Sequence, residues 1–154
     1  TRGPLAYDFG DTAGLTPLIR MHTLGSHFIP PGFHAGGLRY HGMAPLVSAT
    51  VEQGFVEPIA IYQTETFEAG LLFAKTEGIM PAPEACHAIR GAIIEAERCK
   101  KEGKKEVIAF NMCGHGHMDM AAYDAFLSGK LVDQHYDEQA LALSLAHLPK
   151  VDDI

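Results

Sequence analysis

The stretch Phe110-Asn111-Met112-Cys113-Gly114-His115-Gly116-His117-Met118-Asp119 decides how this chain is interpreted. The apolar run before it predicts a strand at 107–111, and a helix is expected behind it from Met120 to Ser128. Turns of this kind lie at the carboxyl end of a strand in α/β sheets, where ligands bind. Glycines one residue apart allow the backbone to come close to a ligand. The stretch therefore predicts a ligand-binding loop.

Composition sets the class of protein in which that loop is expected. The chain has 154 residues, 47% of them hydrophobic and 20% charged, which is typical of a globular domain. A formal net charge of -7 argues against nucleic acid as a partner, and no apolar run reaches the about 18 residues that a membrane span needs. Three separated cysteines favour a reducing compartment, the cytoplasm. The first residues lack the features of a signal peptide and an initiating Met, as expected of a chain cut from something longer.

Helix signals are clear in the second half of the chain. Pro45 suits the start of a helix that would run to about Gln53, and Thr64 is the expected N-cap of the next one. Pro83 should open the longest helix, which Gly103 ends, and Asp137 should cap the last. The longest helix carries an apolar stripe of small residues, formed by Ala85, Ala88, Ile89, Ala92, Ala96 and Cys99.

Strand signals are few. Residues 1–42 are expected to be irregular, 56–62 and 107–111 to be strands. Helices that alternate with short apolar strands predict an α/β fold with helices packed on a mainly parallel sheet. Two strands do not make a sheet of ordinary size, which points to further chain elsewhere.

The side chains of the loop allow two other interpretations. Cys113, His115, His117 and Asp119 could hold zinc, although no CxxC or HExxH spacing accompanies them. Alternatively, Cys113 could be a nucleophile activated by the following helix and a nearby histidine. A loop that faces a substrate or cofactor is the favoured interpretation.

Four stretches together resemble one enzyme family. Asp11-Thr12-Ala13-Gly14-Leu15-Thr16-Pro17 and residues 34–42 are similar to the second, stand-alone type of tryptophan synthase β chain. Thr76-Glu77-Gly78-Ile79-Met80-Pro81-Ala82-Pro83-Glu84 and residues 111–119 are similar to both types. The resemblance covers about residues 1–131 and concerns the C-terminal part of that chain only. It implies that residues 1–131 are the C-terminal portion of the cofactor-binding domain and that residues 132–154 form a C-terminal helical tail. It implies a lyase of the fold-type II group that uses pyridoxal 5'-phosphate to join L-serine and indole into L-tryptophan and water.

The resemblance also implies roles for individual residues. Cys113 stands where the family usually has a serine that faces the pyridine nitrogen, and Gly114, Glu77 and Gly37 match residues beside the cofactor. Arg39 stands where the first type has an aspartate used in closing the site, which makes it the candidate for substrate closure. A monovalent cation, Na⁺ or K⁺, is expected at the carbonyls of Leu38, Tyr40 and Gly42.

The same resemblance implies that the chain is inactive alone. No catalytic residue is assigned in this segment, because the family's Schiff-base lysine lies upstream and no lysine here has a matching context. The expected partners are the missing N-terminal part of the enzyme and a second copy in a homodimer, with an α subunit left open. Three alternatives remain: another fold-type II enzyme that replaces or eliminates at serine or threonine, a non-catalytic folding or assembly fragment, and a metal-binding module.

Overall fold

The computed structural model describes residues 3–151, which fall into two compact units. Among the described residues, the first unit comprises 3–31, 39–60 and 135–151, and the second comprises 32–38 and 61–134. Within the described part, none of the helices combines the length and the apolar character needed to cross a membrane.

A β-hairpin and two helices build the first unit. Strand β1 (Leu5–Phe9) pairs antiparallel with β2 (Leu18–His22), and helix α1 (Pro45–Glu52) packs against β2. The last helix of the chain, α5 (Glu138–Ala146), contributes Leu141 to a small core with Leu24 and Phe28. This core belongs to the first unit alone.

The hairpin corrects the expectation that residues 1–42 are irregular. The buried residue of β1 is Asp8, although aspartate side chains normally lie at the solvent-exposed surface. The carboxylate is satisfied inside the protein, because it accepts hydrogen bonds from the Thr23 hydroxyl at 2.7 Å and from the Phe9 amide at 2.8 Å. A buried acid with two donors conceals the alternation by which a strand is recognised in a sequence.

Three helices build the second unit. Helix α2 (Gln63–Glu77) packs on α3 (Pro83–Glu102), and α4 (Met120–Leu127) packs on α2. Their shared core consists of Phe67, Cys86, Ala122 and Tyr123. A short 3-10 helix, Gly36–Leu38, contacts α3.

Most helix boundaries are confirmed. Pro83 occupies the first turn of α3, Gly103 ends it with a left-handed φ of 66°, and Asp137 caps α5 by accepting bonds from two backbone amides. The α3 stripe is buried at Ala85, Ile89 and Cys99, whereas Ala96 is exposed.

The expected N-cap of α2 is wrong by two residues. Helix α2 begins at Gln63, and its first turn is capped by a distant side chain. The Asp133 carboxylate accepts bonds from the Thr64 amide at 3.0 Å and the Thr64 hydroxyl at 2.7 Å. The capping role that the local sequence assigns to Thr64 is thus taken by Asp133, which lies 69 residues away in the chain.

Both expected strands are also wrong for this chain. Residues 56–62 and 107–111 form no strand, and Val107 is fully exposed. A strand exists only where a neighbour accepts and donates its backbone hydrogen bonds, and neither segment finds one among residues 3–151. The sheet of the described part is therefore the antiparallel hairpin, and the parallel sheet stays a prediction.

Candidate functional site

The loop that leads into α4 is joined edge to edge with the segment between α2 and α3. We call residues 111–119 the glycine loop and residues 80–82 the proline segment. Pro81 and His115 form an antiparallel bridge, the Ala82 amide donates to the Gly114 carbonyl at 3.1 Å, and the Gly116 amide donates to the Met80 carbonyl at 2.8 Å. Two stretches that the sequence singled out separately are thus brought together.

The two glycines of the loop serve different physical needs. Gly114 has a φ of 95°, and a Cβ there would lie 3.3 Å from the Ala82 Cβ. Gly116 is buried, and a Cβ there would lie 2.4 Å from the Pro81 carbonyl oxygen. Gly116 is therefore required by the pairing with the proline segment, and Gly114 by its backbone conformation.

The pairing buries one part of the loop and leaves another part exposed. Gly116 is buried, whereas Cys113, Gly114 and His115 are exposed, although Gly114 and His115 also take part in the pairing. Cys113 is a free cysteine. We call Cys113 and Gly114 the exposed edge of the loop, because they offer a thiol beside a residue that carries no side chain.

Glu77 and Gly37 belong to the same unit as the glycine loop. Glu77 is the last residue of α2, four positions before Pro81, and it is exposed. Gly37 lies in the short 3-10 helix, where its amide donates to the Glu84 carboxylate at 2.9 Å. Glu84 stands in the first turn of α3, so Gly37 is held at the amino end of that helix.

Arg39 belongs to the first unit and is held by backbone. Its guanidinium donates from Nε to the Pro31 carbonyl at 3.0 Å and from Nη2 to the Pro30 carbonyl at 3.1 Å. These bonds fix an exposed side chain against the irregular segment at Pro30 and Pro31. A closing role for Arg39 would require exchange of these two contacts, and that role stays a prediction.

The three carbonyls expected at a cation are divided between the units. Leu38 ends the 3-10 helix of the second unit, whereas Tyr40 and Gly42 belong to the first. The Tyr40 hydroxyl donates to the Gly10 carbonyl, and Gly42 forms an isolated bridge with Thr23. The cation site stays a prediction.

The histidines of the loop contact each other. The rings of His115 and His117 have centroids 4.5 Å apart, and the His117 amide donates to Nδ1 of His115 at 3.2 Å. Across residues 3–151, no three His, Cys, Asp or Glu side chains are grouped so that they could hold a metal ion. The zinc interpretation of Cys113, His115, His117 and Asp119 thus finds no support in this geometry.

Sequence reasoning missed Tyr123 and Pro81. The Tyr123 side chain is 1% exposed, and its hydroxyl donates to the Pro81 carbonyl at 2.6 Å. A tyrosine on the buried face of a short apolar helix is a usable signal, because a buried phenol needs a hydrogen-bond partner. The sequence does not show which carbonyl that partner is.

No family model matches the chain. Curated relatives do. Tryptophan synthase beta chain 2 of Thermotoga maritima is 61% identical over 123 residues, which cover 80% of this chain and 29% of the relative. The tryptophan synthase beta chain of Thermococcus onnurineus is 56% identical over 138 residues, 90% of this chain and 31% of the relative. Beta chain 2 of Pyrococcus furiosus is 53% identical over 150 residues, 97% of this chain and 33% of the relative.

The resemblance based on four short stretches is confirmed along almost the whole chain. The chain spans about a third of the length of the curated relatives that it matches. Two of the three relatives carry the designation 2, in agreement with the second type. The chain belongs to the tryptophan synthase beta chain family, as the counterpart of the C-terminal part of such a chain.

Proposed function

We propose that this chain supplies the C-terminal part of a pyridoxal-phosphate lyase that joins L-serine and indole into L-tryptophan and water. One observation carries the proposal. The stretch with Glu77 and the glycine loop, both similar to family motifs, are hydrogen-bonded edge to edge. Two stretches singled out by chance would not be expected to meet in this way.

The residues present fit the ring end of pyridoxal phosphate. A flat heterocycle needs backbone without side chains beside it and a polar group at its nitrogen. The exposed edge of the glycine loop offers both, in Gly114 and in the Cys113 thiol. When bound, the cofactor supplies an electron sink for the amino acid, and the protein supplies its orientation.

Each candidate residue has a defined task in this proposal. Cys113 would face the pyridine nitrogen, and a thiol is a weaker hydrogen-bond donor than the usual serine hydroxyl. Gly114 would let the ring lie against the backbone, Glu77 would place a carboxylate beside the cofactor, and Gly37 would lie at its side. Arg39 would exchange the carbonyls of Pro30 and Pro31 for a substrate carboxylate when the site closes.

Other parts of the proposal follow from the resemblance to the family. The Schiff-base lysine and the phosphate contacts are proposed to lie upstream, in a longer polypeptide. Within this chain, residues 1–131 are proposed to be the C-terminal portion of the cofactor-binding domain, and residues 132–154 a helical tail. We also propose a homodimer, a cytoplasmic location, and a monovalent cation at the carbonyls of Leu38, Tyr40 and Gly42. An α subunit is an open partner.

The test is a joined enzyme, in which the N-terminal part of the Thermotoga maritima relative precedes this chain at the matching position. We expect it to bind pyridoxal phosphate, with a new visible absorption band, and to form L-tryptophan from L-serine and indole. Water and a thiol serve as competing acceptors. Cofactor binding without consumption of indole would refute the substrate assignment, and indole as the worst acceptor would favour another enzyme of the group.

Two matched variants test the role of the thiol. Cys113→Ser restores the usual family residue, and we expect it to keep or improve cofactor binding and activity. Cys99→Ser changes a buried cysteine away from the loop and controls for cysteine replacement in general. Complete loss of activity in Cys113→Ser alone would instead indicate a thiol nucleophile.

A further inference from the structure

The hydroxyl of Tyr123 lies at the centre of a small buried polar contact. It donates to the Pro81 carbonyl at 2.6 Å and lies 3.3 Å from the Cys86 sulfur. The ring is fixed by an edge-to-face contact with Phe67, at a centroid distance of 4.9 Å. The hydroxyl therefore has one strong acceptor and little freedom to find another.

Gly70 of helix α2 leaves room for this hydroxyl, because it has no side chain. A Cβ on Gly70 would lie 2.5 Å from the Cys86 sulfur and 3.0 Å from the Tyr123 oxygen. The first distance is shorter than a side-chain carbon tolerates and the second is tighter than most contacts, so an alanine there would displace the thiol and press on the phenol. The three helices of the second unit thus converge on the bond to Pro81.

Pro81 is also the residue that holds the glycine loop. It forms the bridge with His115, and its neighbours Met80 and Ala82 make the two hydrogen bonds to Gly116 and Gly114. Tyr123 follows the loop directly, and its own amide donates to the Asp119 carbonyl at 3.2 Å. Tyr123 therefore fixes the end of the glycine loop through its backbone amide, and it fixes the proline segment through its hydroxyl.

Burial keeps the hydroxyl in its donor form. Removal from water, followed by the contact with Cys86, raises the pKa of Tyr123 far above its ordinary value of 10.0. The phenol thus stays protonated, and able to donate, at neutral pH and well into the alkaline range.

We propose that Tyr123 is a positioning residue for the cofactor, because its bond to Pro81 fixes the segment against which the glycine loop is paired. Its role toward the cofactor rests on the proposed function, whereas its hold on the loop does not. Without the hydroxyl, the exposed edge at Cys113 and Gly114 should lose its fixed place although the helices remain.

The first test measures the loop itself in the 154-residue chain. Tyr123→Phe removes only the hydroxyl, and we expect the amides of Gly116 and Ala82 to exchange hydrogen about five- to tenfold faster, as one lost hydrogen bond implies. Tyr7→Phe, at a 43% exposed tyrosine of β1, is the matched control and should change neither amide. Unchanged exchange in Tyr123→Phe would overturn the proposal.

A core variant separates positioning from general destabilisation. Leu71→Ala weakens the same core but keeps both the Tyr123 hydroxyl and its ring contact with Phe67, so it should speed exchange in α3 and in the loop by similar factors. Tyr123→Phe should act on Gly116 and Ala82 and spare the interior of α3, such as Ile93. Equal acceleration throughout the unit in Tyr123→Phe would mean a structural role only and would contradict the proposal.

The second test measures cofactor affinity in the joined enzyme by absorbance titration with pyridoxal phosphate. We expect Tyr123→Phe to weaken binding several-fold and Tyr7→Phe to leave it unchanged. Faster loop exchange with unchanged affinity would overturn the positioning role. If the unsubstituted joined enzyme binds no cofactor, the proposed function fails, while the exchange result still decides whether Tyr123 holds the loop.

Discussion

Gly116→Ala should be among the most damaging small substitutions in the second unit. The added Cβ would lie 2.4 Å from the Pro81 carbonyl oxygen and 3.1 Å from Cγ of Met80. Ordinary contact begins near 3.4 Å, so the two segments must separate by about 1 Å. The 2.8 Å bond from the Gly116 amide to the Met80 carbonyl would then exceed hydrogen-bond length.

The magnitude follows from these two losses. Overpacking at a buried position costs about 1–3 kcal/mol, and a lost hydrogen bond about 1 kcal/mol. We therefore expect the free energy of unfolding of the second unit to fall by about 2–4 kcal/mol, which is roughly a 30- to 1000-fold change in the unfolding equilibrium.

Urea unfolding followed by far-ultraviolet circular dichroism measures this change, because α2 and α3 are the longest helices and both lie in the second unit. Gly32→Ala is the matched control, since no atom lies within 4 Å of a Cβ at that position and its φ is not positive. Gly32→Ala should be neutral or slightly stabilising. Equal midpoints for the two variants would refute the pairing of loop and proline segment.

Three further predictions concern other residues. Iodoacetamide at neutral pH should modify exposed Cys113 long before fully buried Cys86, as peptide mass mapping would show, and equal rates would contradict the described core. Burial raises the pKa of Cys86 above its ordinary 9.0, so the contribution of the neutral thiol to stability is complete below pH 9 and is lost as pH rises through the raised value. Urea titrations at several pH values should show this fall in stability, and the fall should be smaller in Cys86→Ala. Asp137→Ala removes a side chain that accepts two amide bonds at the start of α5 and should cost about 1 kcal/mol in thermal unfolding, whereas Asp124→Ala, at an exposed position of α4, should cost less.

Local signals were sufficient to predict helices. Proline at the start and glycine at the end of α3 act within one turn of the backbone, so their effect is readable without knowledge of the fold. The same holds for Asp137, whose side chain caps its own helix. Where a distant residue decides, as Asp133 does at the start of α2, the sequence predicts the wrong cap.

Strands depend on partners, and this explains the errors there. Residues 56–62 and 107–111 have apolar runs but no neighbour within residues 3–151, whereas β1 and β2 pair despite the acid at Asp8. Burial of that acid depends on Thr23, 15 residues away. The spacing of apolar residues in the sequence cannot show this contact between Asp8 and Thr23.

The candidate site was predicted in its parts but not in its assembly. Motif similarity singled out Glu77 and the loop with Cys113 and Gly114, and the structure joins their stretches through Pro81. The reason for Gly116 could not be predicted, because it is a contact with a carbonyl 35 residues earlier in the chain. Tyr123 was missed for the same reason, since its importance lies in the atom to which it donates.

The central claim is that the exposed edge of the glycine loop lies against the cofactor ring. A crystal structure of the joined enzyme with pyridoxal phosphate measures this directly, as the distance from the Cys113 sulfur to the pyridine nitrogen. We expect these atoms within hydrogen-bond reach of sulfur and Gly114 in contact with the ring. A coenzyme bound elsewhere, with Cys113 directed into solvent or into another contact, would contradict the account.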